Sequence, residues 1–302
     1  NSATASEIAA GTTTNAAYTG LTGEYHPLYS SYNGGAGHAN FGQRPFIHTP
    51  PTGFKALCTA NLPASTIKDS SKYFNTVTYE GTITDTSTQA VTGVGFQPNL
   101  TWIKRRDDSN SHQLVDSVRG VGKWLEASGQ NAEATSNTHG VLTAFDSDGF
   151  TLTGGSTNAN LCCEDNNTYV SWNWKESATA GFDIVKDEGT GSDHTIPHSL
   201  GVKPDMIIRK AIDRVDNWVV YHKDLDGADA TEYLELNTGN GQQNYHEIWN
   251  DTPPTNSVFT VGSDTSVNED DKNYITYLFS SVEGYSKVGS YTGNGNADGP
   301  FV

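Results

Sequence analysis

Two short stretches hold residue types suited to chemistry. Asp146-Ser147-Asp148-Gly149 and Asp224-Leu225-Asp226-Gly227 both read Asp-x-Asp-Gly. Carboxylates spaced this way on a tight turn can hold Ca²⁺ through hard oxygen ligands. Neither stretch continues into a twelve-residue loop closed by Glu. An ordinary Asp-Gly turn is therefore preferred, and Ca²⁺ at Asp146, Asp148, Asp224 and Asp226 is the alternative. His112 with Asp116, and His222 with Asp224, place a base near a carboxylate. Residues four apart on a strand share a face but lie about 13 Å apart, too far for a hydrogen bond. No Ser or Cys sits in a nucleophile elbow beside either histidine. Glu80 and Glu188 recur next to glycines, but one repeated carboxylate does not make a glycosidase pair. Cys58, Cys162 and Cys163 form neither a disulfide framework nor a Cys-x-x-Cys metal signature. The vicinal Cys162-Cys163 pair reads as two small packed residues. Asn99, Asn166 and Asn250 open Asn-x-Thr triplets that fit N-glycosylation, a pattern chance often produces in a chain rich in Asn and Thr. No catalytic residue is assigned. The chain reads as non-enzymatic, with no cofactor apart from the Ca²⁺ alternative.

The elements that must position these residues are organised around a duplicated stretch. Gly95-Phe96-Gln97-Pro98-Asn99-Leu100-Thr101-Trp102-Ile103-Lys104 returns as Gly201-Val202-Lys203-Pro204-Asp205-Met206-Ile207-Ile208-Arg209-Lys210, a step of about 106 residues. Proline fixes φ and donates no hydrogen bond, so each copy starts a strand at its proline. Each repeat opens on a similar stretch, Phe74, Val77 and Gly81 in the first and Phe182, Val185 and Gly189 in the second. Each closes on an aromatic strand, 168–174 and 273–279. Alternation puts Tyr169, Ser171 and Asn173 on one face, and Val170, Trp172 and Trp174 on the other. The tryptophan face is expected to be core rather than a sugar platform. A short helical turn is expected near Val121 to Ser128.

This pattern predicts an all-β chain of tandem antiparallel β-sandwich domains. Residues 1–62 read as a first unit carrying a hairpin around Gly34-Gly35, 63–72 as a linker, 73–178 and 179–283 as the two repeats. Residues 284–302 read as the start of a third repeat or an inter-subunit strand, with Tyr285, Val288, Tyr291 and Phe301 as its assembly residues. Hydrophobic residues are 34% of the chain and net charge is −17. Such a charge opposes nucleic-acid binding. No stretch approaches the 18 or so apolar residues of a membrane helix, so no membrane insertion is expected.

The stretch Tyr25-x-Pro27-x-x-Ser30, Asn40-Phe41-Gly42, Pro45-Phe46 and Pro50-Pro51-Thr52-Gly53-Phe54 resembles the C-terminal end of a SPRY domain, a concanavalin A-like β-sandwich. The resemblance covers about residues 18 to 60. Over 73 to 302 the marks are Gly95 to Lys104, Asp116-Ser117-Val118-Arg119-Gly120, Phe145 to Phe150, Tyr169 to Trp174 and Glu283-Gly284-Tyr285-Ser286-Lys287. These resemble an uncharacterised family in long virion-associated proteins of bacteriophages. The resemblance implies a structural protomer of a phage tail fibre or related extracellular filament. A homo-oligomer or head-to-tail fibre built by strand contacts would then follow. A carbohydrate-binding adhesin is the alternative, with Tyr25, Tyr29, Tyr32 and His38 on a host-surface glycan. A polysaccharide-active enzyme ranks below both. The implied location is the virion or the extracellular space.

Overall fold

The computed structural model describes residues 65–225 and 230–300, all within the compact unit that begins at Ser65. The SPRY-like stretch 1–62 lies outside the described residues. The first repeat contributes β1 Phe74–Glu80, β2 Thr88–Thr92, β3 Leu100–Arg105, β4 Gln113–Asp116, β5 Val141–Asp146, β6 Gly149–Thr153 and β7 Thr168–Trp174. The second contributes β8 Phe182–Glu188, β9 His194–Pro197, β10 Met206–Ala211, β11 Val219–His222, β12 Glu232–Glu235, β13 Gln243–Asn244, β14 Val258–Val261 and β15 Asn273–Phe279. Two single-turn helices, α1 His246–Trp249 and α2 Thr265–Asn268, also lie in the second repeat.

The chain is all-β and its strands pair antiparallel. In the first repeat a sheet of order β1-β7-β3-β4 faces a sheet of order β2-β6-β5. In the second, β8-β15-β10-β11 repeats the first order and is extended by β12 and β13, opposite the pair β9-β14. Each sandwich closes on its own core. Ile103, Val115 and Tyr169 meet Val91, Leu142, Phe150 and Leu152 in the first. Ile207, Val219 and Leu278 meet Ile196, Phe259 and Val261 in the second. The prolines work as strand starters. The residue after each makes the first bond to the closing strand, Asn99 N–H to Trp174 O and Asp205 N–H to Phe279 O, both 2.8 Å.

A third core cluster lies between the repeats. Leu100, Leu114 and Leu125 of the first meet Phe182, Ile184, Ile275 and Tyr277 of the second, with Trp102, Trp174, Ile208 and Phe279 packed against them. The two main sheets therefore meet through their outer faces and share no strand ladder. Trp174 and Phe279 hold the same register in their repeats, opposite Leu100 and Met206. Their rings meet 6.5 Å apart. Equivalent surfaces thus cover one another, an isologous contact within a single chain.

This geometry decides the two faces of β7. Tyr169, Ser171 and Asn173 are fully buried against the first core, and Trp172 and Trp174 are half-buried on the outer side. The polar residues tolerate burial because they bond one another. Asn173 Nδ2 donates to Ser171 Oγ at 3.0 Å, and Thr101 Oγ1 donates to Asn173 Oδ1 at 3.2 Å. The helical turn expected near Val121 to Ser128 is replaced by bridges. Leu114 and Leu125 exchange both backbone bonds, at 2.9 and 3.0 Å, and Trp124 pairs with Ala134. These backbone groups cover the free edge of β4 rather than bonding along a helix.

Candidate functional site

The residues with the most unusual surroundings gather where one repeat leaves off and the next begins. The exit is set by the Pro-Asn or Pro-Asp pair. Asn99 Oδ1 accepts from Glu176 N–H at 2.9 Å, the second residue after β7. Asp205 Oδ2 accepts from Ser281 N–H at 2.8 Å, the second residue after β15. The other side-chain atom of each is tied to the first residue after the neighbouring strand, Asn99 Nδ2 donating to Ser117 Oγ and Lys223 Nζ pairing with Asp205 Oδ1. Hydrogen bonding by Ser281 and the Lys223 ammonium outweigh burial at Asp205 and hold its carboxyl below the usual range. A left-handed glycine then turns the chain into the next aromatic residue, Gly181 before Phe182 (φ 69°) and Gly284 before Tyr285 (φ 75°).

At the joint between the repeats lies a buried charged network. Arg119 Nε donates to Asp116 Oδ2 at 2.5 Å, and its Nη1 donates to Glu133 at 3.0 Å. Tyr277 Oη of the second repeat donates to Asp116 Oδ2 at 2.8 Å. The other carboxylate oxygen of Asp116 accepts the backbone N–H groups of Val118 and Arg119. Burial would depress the Arg119 guanidinium, but Tyr277, Asp116 and Glu133 overcome it and hold the charge on. The segment after β4 also reaches across to the second repeat, with Trp218 Nε1 donating to Glu126 O at 2.9 Å and Glu133 N–H to Ile212 O at 2.8 Å. Beside this network Glu176 hydrogen-bonds Asp183, the second residue of β8. Burial, then that hydrogen bond and the Asp183 charge, push the Glu176 carboxyl up to about 7. Asp183 is itself anchored by the N–H groups of Ile184 and Ser199.

The candidate residues read from sequence are dispersed and take structural partners. Asp148 accepts from Gly93 and Gly95 N–H at 3.2 and 2.6 Å, and Asp146 accepts from Thr151 Oγ1 at 2.7 Å, so the first Asp-x-Asp-Gly stretch pins the β5–β6 turn. Asp224 N–H donates to His222 Nδ1 at 3.2 Å, a backbone contact rather than a base–carboxylate pair. Asp226 lies outside the described residues. Among the described residues no group of three or more His, Cys, Asp or Glu could hold a metal ion. His112 Nδ1 accepts from Trp102 Nε1 at 2.7 Å and Asp116 is taken by the joint network, so that pair does not form. Cys162 and Cys163 are free, fully buried and 3.4 Å apart at sulfur. Asn99 has both side-chain atoms engaged, and Asn166 and Asn250 sit in left-handed turns. Glu80 and Glu188 each stand beside a glycine that the fold requires. A Cβ on Gly81 would stand 2.2 Å from Glu164 O, and one on Gly189 would stand 2.2 Å from Glu269 O.

Of the assembly residues, Tyr285 sets its ring against Tyr73 at 6.4 Å and Val288 N–H donates to Ser281 Oγ at 3.0 Å. Those two are engaged within the chain itself. Tyr291 is 70% exposed, and Phe301 lies outside the described residues. Tyr25, Tyr29, Tyr32 and His38 lie outside them too. The Glu176–Asp183 pair was missed from sequence, because the two residues belong to different repeats and neither carries a motif. Asp116 and Arg119 were visible as a motif without a role.

The chain belongs to a family described as a domain of unknown function (DUF7483), whose model matches residues 69–302. No curated protein and no solved structure matches it.

Proposed function

We propose that this member of the DUF7483 family is a structural protomer of an extracellular fibre, most simply a phage tail fibre or other virion appendage. The observation that supports this is the duplicated exit. The chain leaves the second repeat through the bond that carries it out of the first, with Asp205 and Ser281 in the places of Asn99 and Glu176, and a left-handed glycine follows in each, Gly181 and Gly284. Residues past Val288 are left exposed, where the opening strand of a further repeat would form. The outer sheet faces of the two described repeats already cover one another. An isologous contact closes on itself, so growth must proceed from the exit rather than by stacking more sheets on those faces. Strand addition at residues 289–298, which are exposed, fits that requirement.

The test is negative-stain imaging and light scattering of the purified chain over rising concentration, beside a form lacking residues 289–302. Chains joined end to end, and lost on the truncation, are expected. A strict monomer at every concentration sinks the reading.

A further inference from the structure

We propose that Asn294 is a self-modification site, converted by water to aspartate and isoaspartate through a succinimide ring. The sequence Thr-Gly-Asn-Gly occurs twice, at Thr238 to Gly241 and at Thr292 to Gly295. A glycine has no Cβ to shield its amide, so its nitrogen can reach the side-chain carbonyl carbon of the asparagine before it. Asn240 and Asn294 are both exposed, and both following glycines have open space around them. Sequence and crowding therefore do not separate the two sites.

Their hydrogen bonds do. Asn296 N–H donates to Asn294 Oδ1 at 2.9 Å. That donor draws electrons from the carbonyl carbon and is already in place for the oxyanion that attack creates. The Asn294 amide nitrogen donates to a neutral acceptor, Gly299 O, at 2.9 Å. The Asn240 amide nitrogen donates instead to the carboxylate of Glu235, at 2.9 Å. This charge-assisted bond must break before ammonia can leave, and it makes the carbonyl carbon a poorer target. Asn217 and Thr238 also donate to Glu235 and hold the carboxylate there.

In the reaction the Gly295 nitrogen bonds to Asn294 Cγ and gives its proton to water. The Cγ–Nδ2 bond breaks, and the nitrogen takes up a proton and leaves as ammonia. Water then opens the ring at one carbonyl to give aspartate or at the other to give isoaspartate. Either product adds a negative charge, and isoaspartate adds a methylene to the backbone. An added backbone atom within residues 289–298 disrupts the alternation that strand pairing needs. Only that consequence rests on the assembly reading.

The experiment follows the full chain over time at mildly alkaline pH, folded and in urea, by peptide mass mapping and isoaspartyl methyltransferase labelling. In the folded chain Asn294 should convert about tenfold faster than Asn240, the worth of one hydrogen bond. In urea the two rates should converge, because the local sequences are the same. Asn296→Pro removes the donating N–H and should slow Asn294 about tenfold while leaving Asn240 unchanged. Equal rates in the folded chain overturn the proposal. So does a difference that persists in urea, or an Asn294 that stays intact. Conversion at Asn294 in a chain that never assembles upholds the proposal while the assembly reading falls.

Discussion

At the centre of the first sandwich Tyr79 stacks on Tyr169, ring centroids 5.4 Å apart, and Ile103 fills the space beside them. The same places in the second sandwich hold Asp187, Tyr274 and Arg209, as the matching registers require. Arg209 is fully buried. It donates to both oxygens of Asp187 at 2.7 Å and lies 4.4 Å from the Tyr274 ring centroid. One topology has thus been filled by an apolar stack in one repeat and by an ion pair over an aromatic face in the other. What is held constant is the tyrosine. Its hydroxyl clamps the same turn in both, Tyr169 between Asn160 O and Glu164 N–H, Tyr274 between Thr265 O and Glu269 N–H. The fold depends on where the strands end and what their turns bond, and the centre is free to vary as long as pairs vary together.

The largest effect is expected from changing one member of the pair. Asp187→Tyr leaves Arg209 buried without its carboxylate and should cost about 3–5 kcal/mol in urea unfolding. The double change Asp187→Tyr with Arg209→Ile writes the first repeat's solution into the second and should recover most of that loss. If the double variant is as unstable as the single one, the two centres are not interchangeable. Next in size is Tyr277→Phe, which removes a hydroxyl from the buried Asp116–Arg119 network. A loss of about 1.5–3 kcal/mol is expected, because the acceptor is charged. Differential scanning calorimetry should then resolve the two repeats as separate transitions, and a single sharp transition would argue that the network does not couple them.

Gly81→Ala and Gly189→Ala should each cost about 1–3 kcal/mol by forcing a Cβ onto a carbonyl oxygen. Equal losses at the two sites are the expectation, and a large inequality would show that the turns are not equivalent.

The smallest effect is one of pH. Glu176 takes up its proton more readily in the folded joint than in the unfolded chain. Its contribution is therefore complete below the ordinary carboxylate range and is lost as pH rises through about 7. Thermal stability of the joint should fall between pH 5 and pH 8. The Glu176→Gln variant should be flat across that window, and an unchanged slope would remove Glu176 as its source.

Much of the fold was legible in particular residues. Pro98 and Pro204 marked strand starts because a proline cannot sit inside a central ladder. The closing strands 168–174 and 273–279 were legible from alternation, and the Asp-Gly turn at Asp148 from its residue type. The turn near Val121 to Ser128 was misread, since its backbone bonds go to Leu114 and Ala134 rather than along the chain. The joint was legible only as a motif. Asp116 and Arg119 are close in sequence, but their partner Tyr277 is 161 residues from Asp116.

Sequence by itself determined the strands, the duplication and the all-β class, because these follow from local periodicity and from what proline and glycine allow the backbone to do. Tertiary structure alone decided what each sheet's outer face would meet. Alternation can separate Trp174 from Asn173, but both faces of a strand look equally burial-ready when one carries aromatic rings and the other a self-bonded polar set. Whether the aromatic face meets solvent, sugar or another sheet depends on which surface the second repeat brings to it. That is fixed by the bonds of the linker and the joint, acting over distances along the chain that local patterns do not reach.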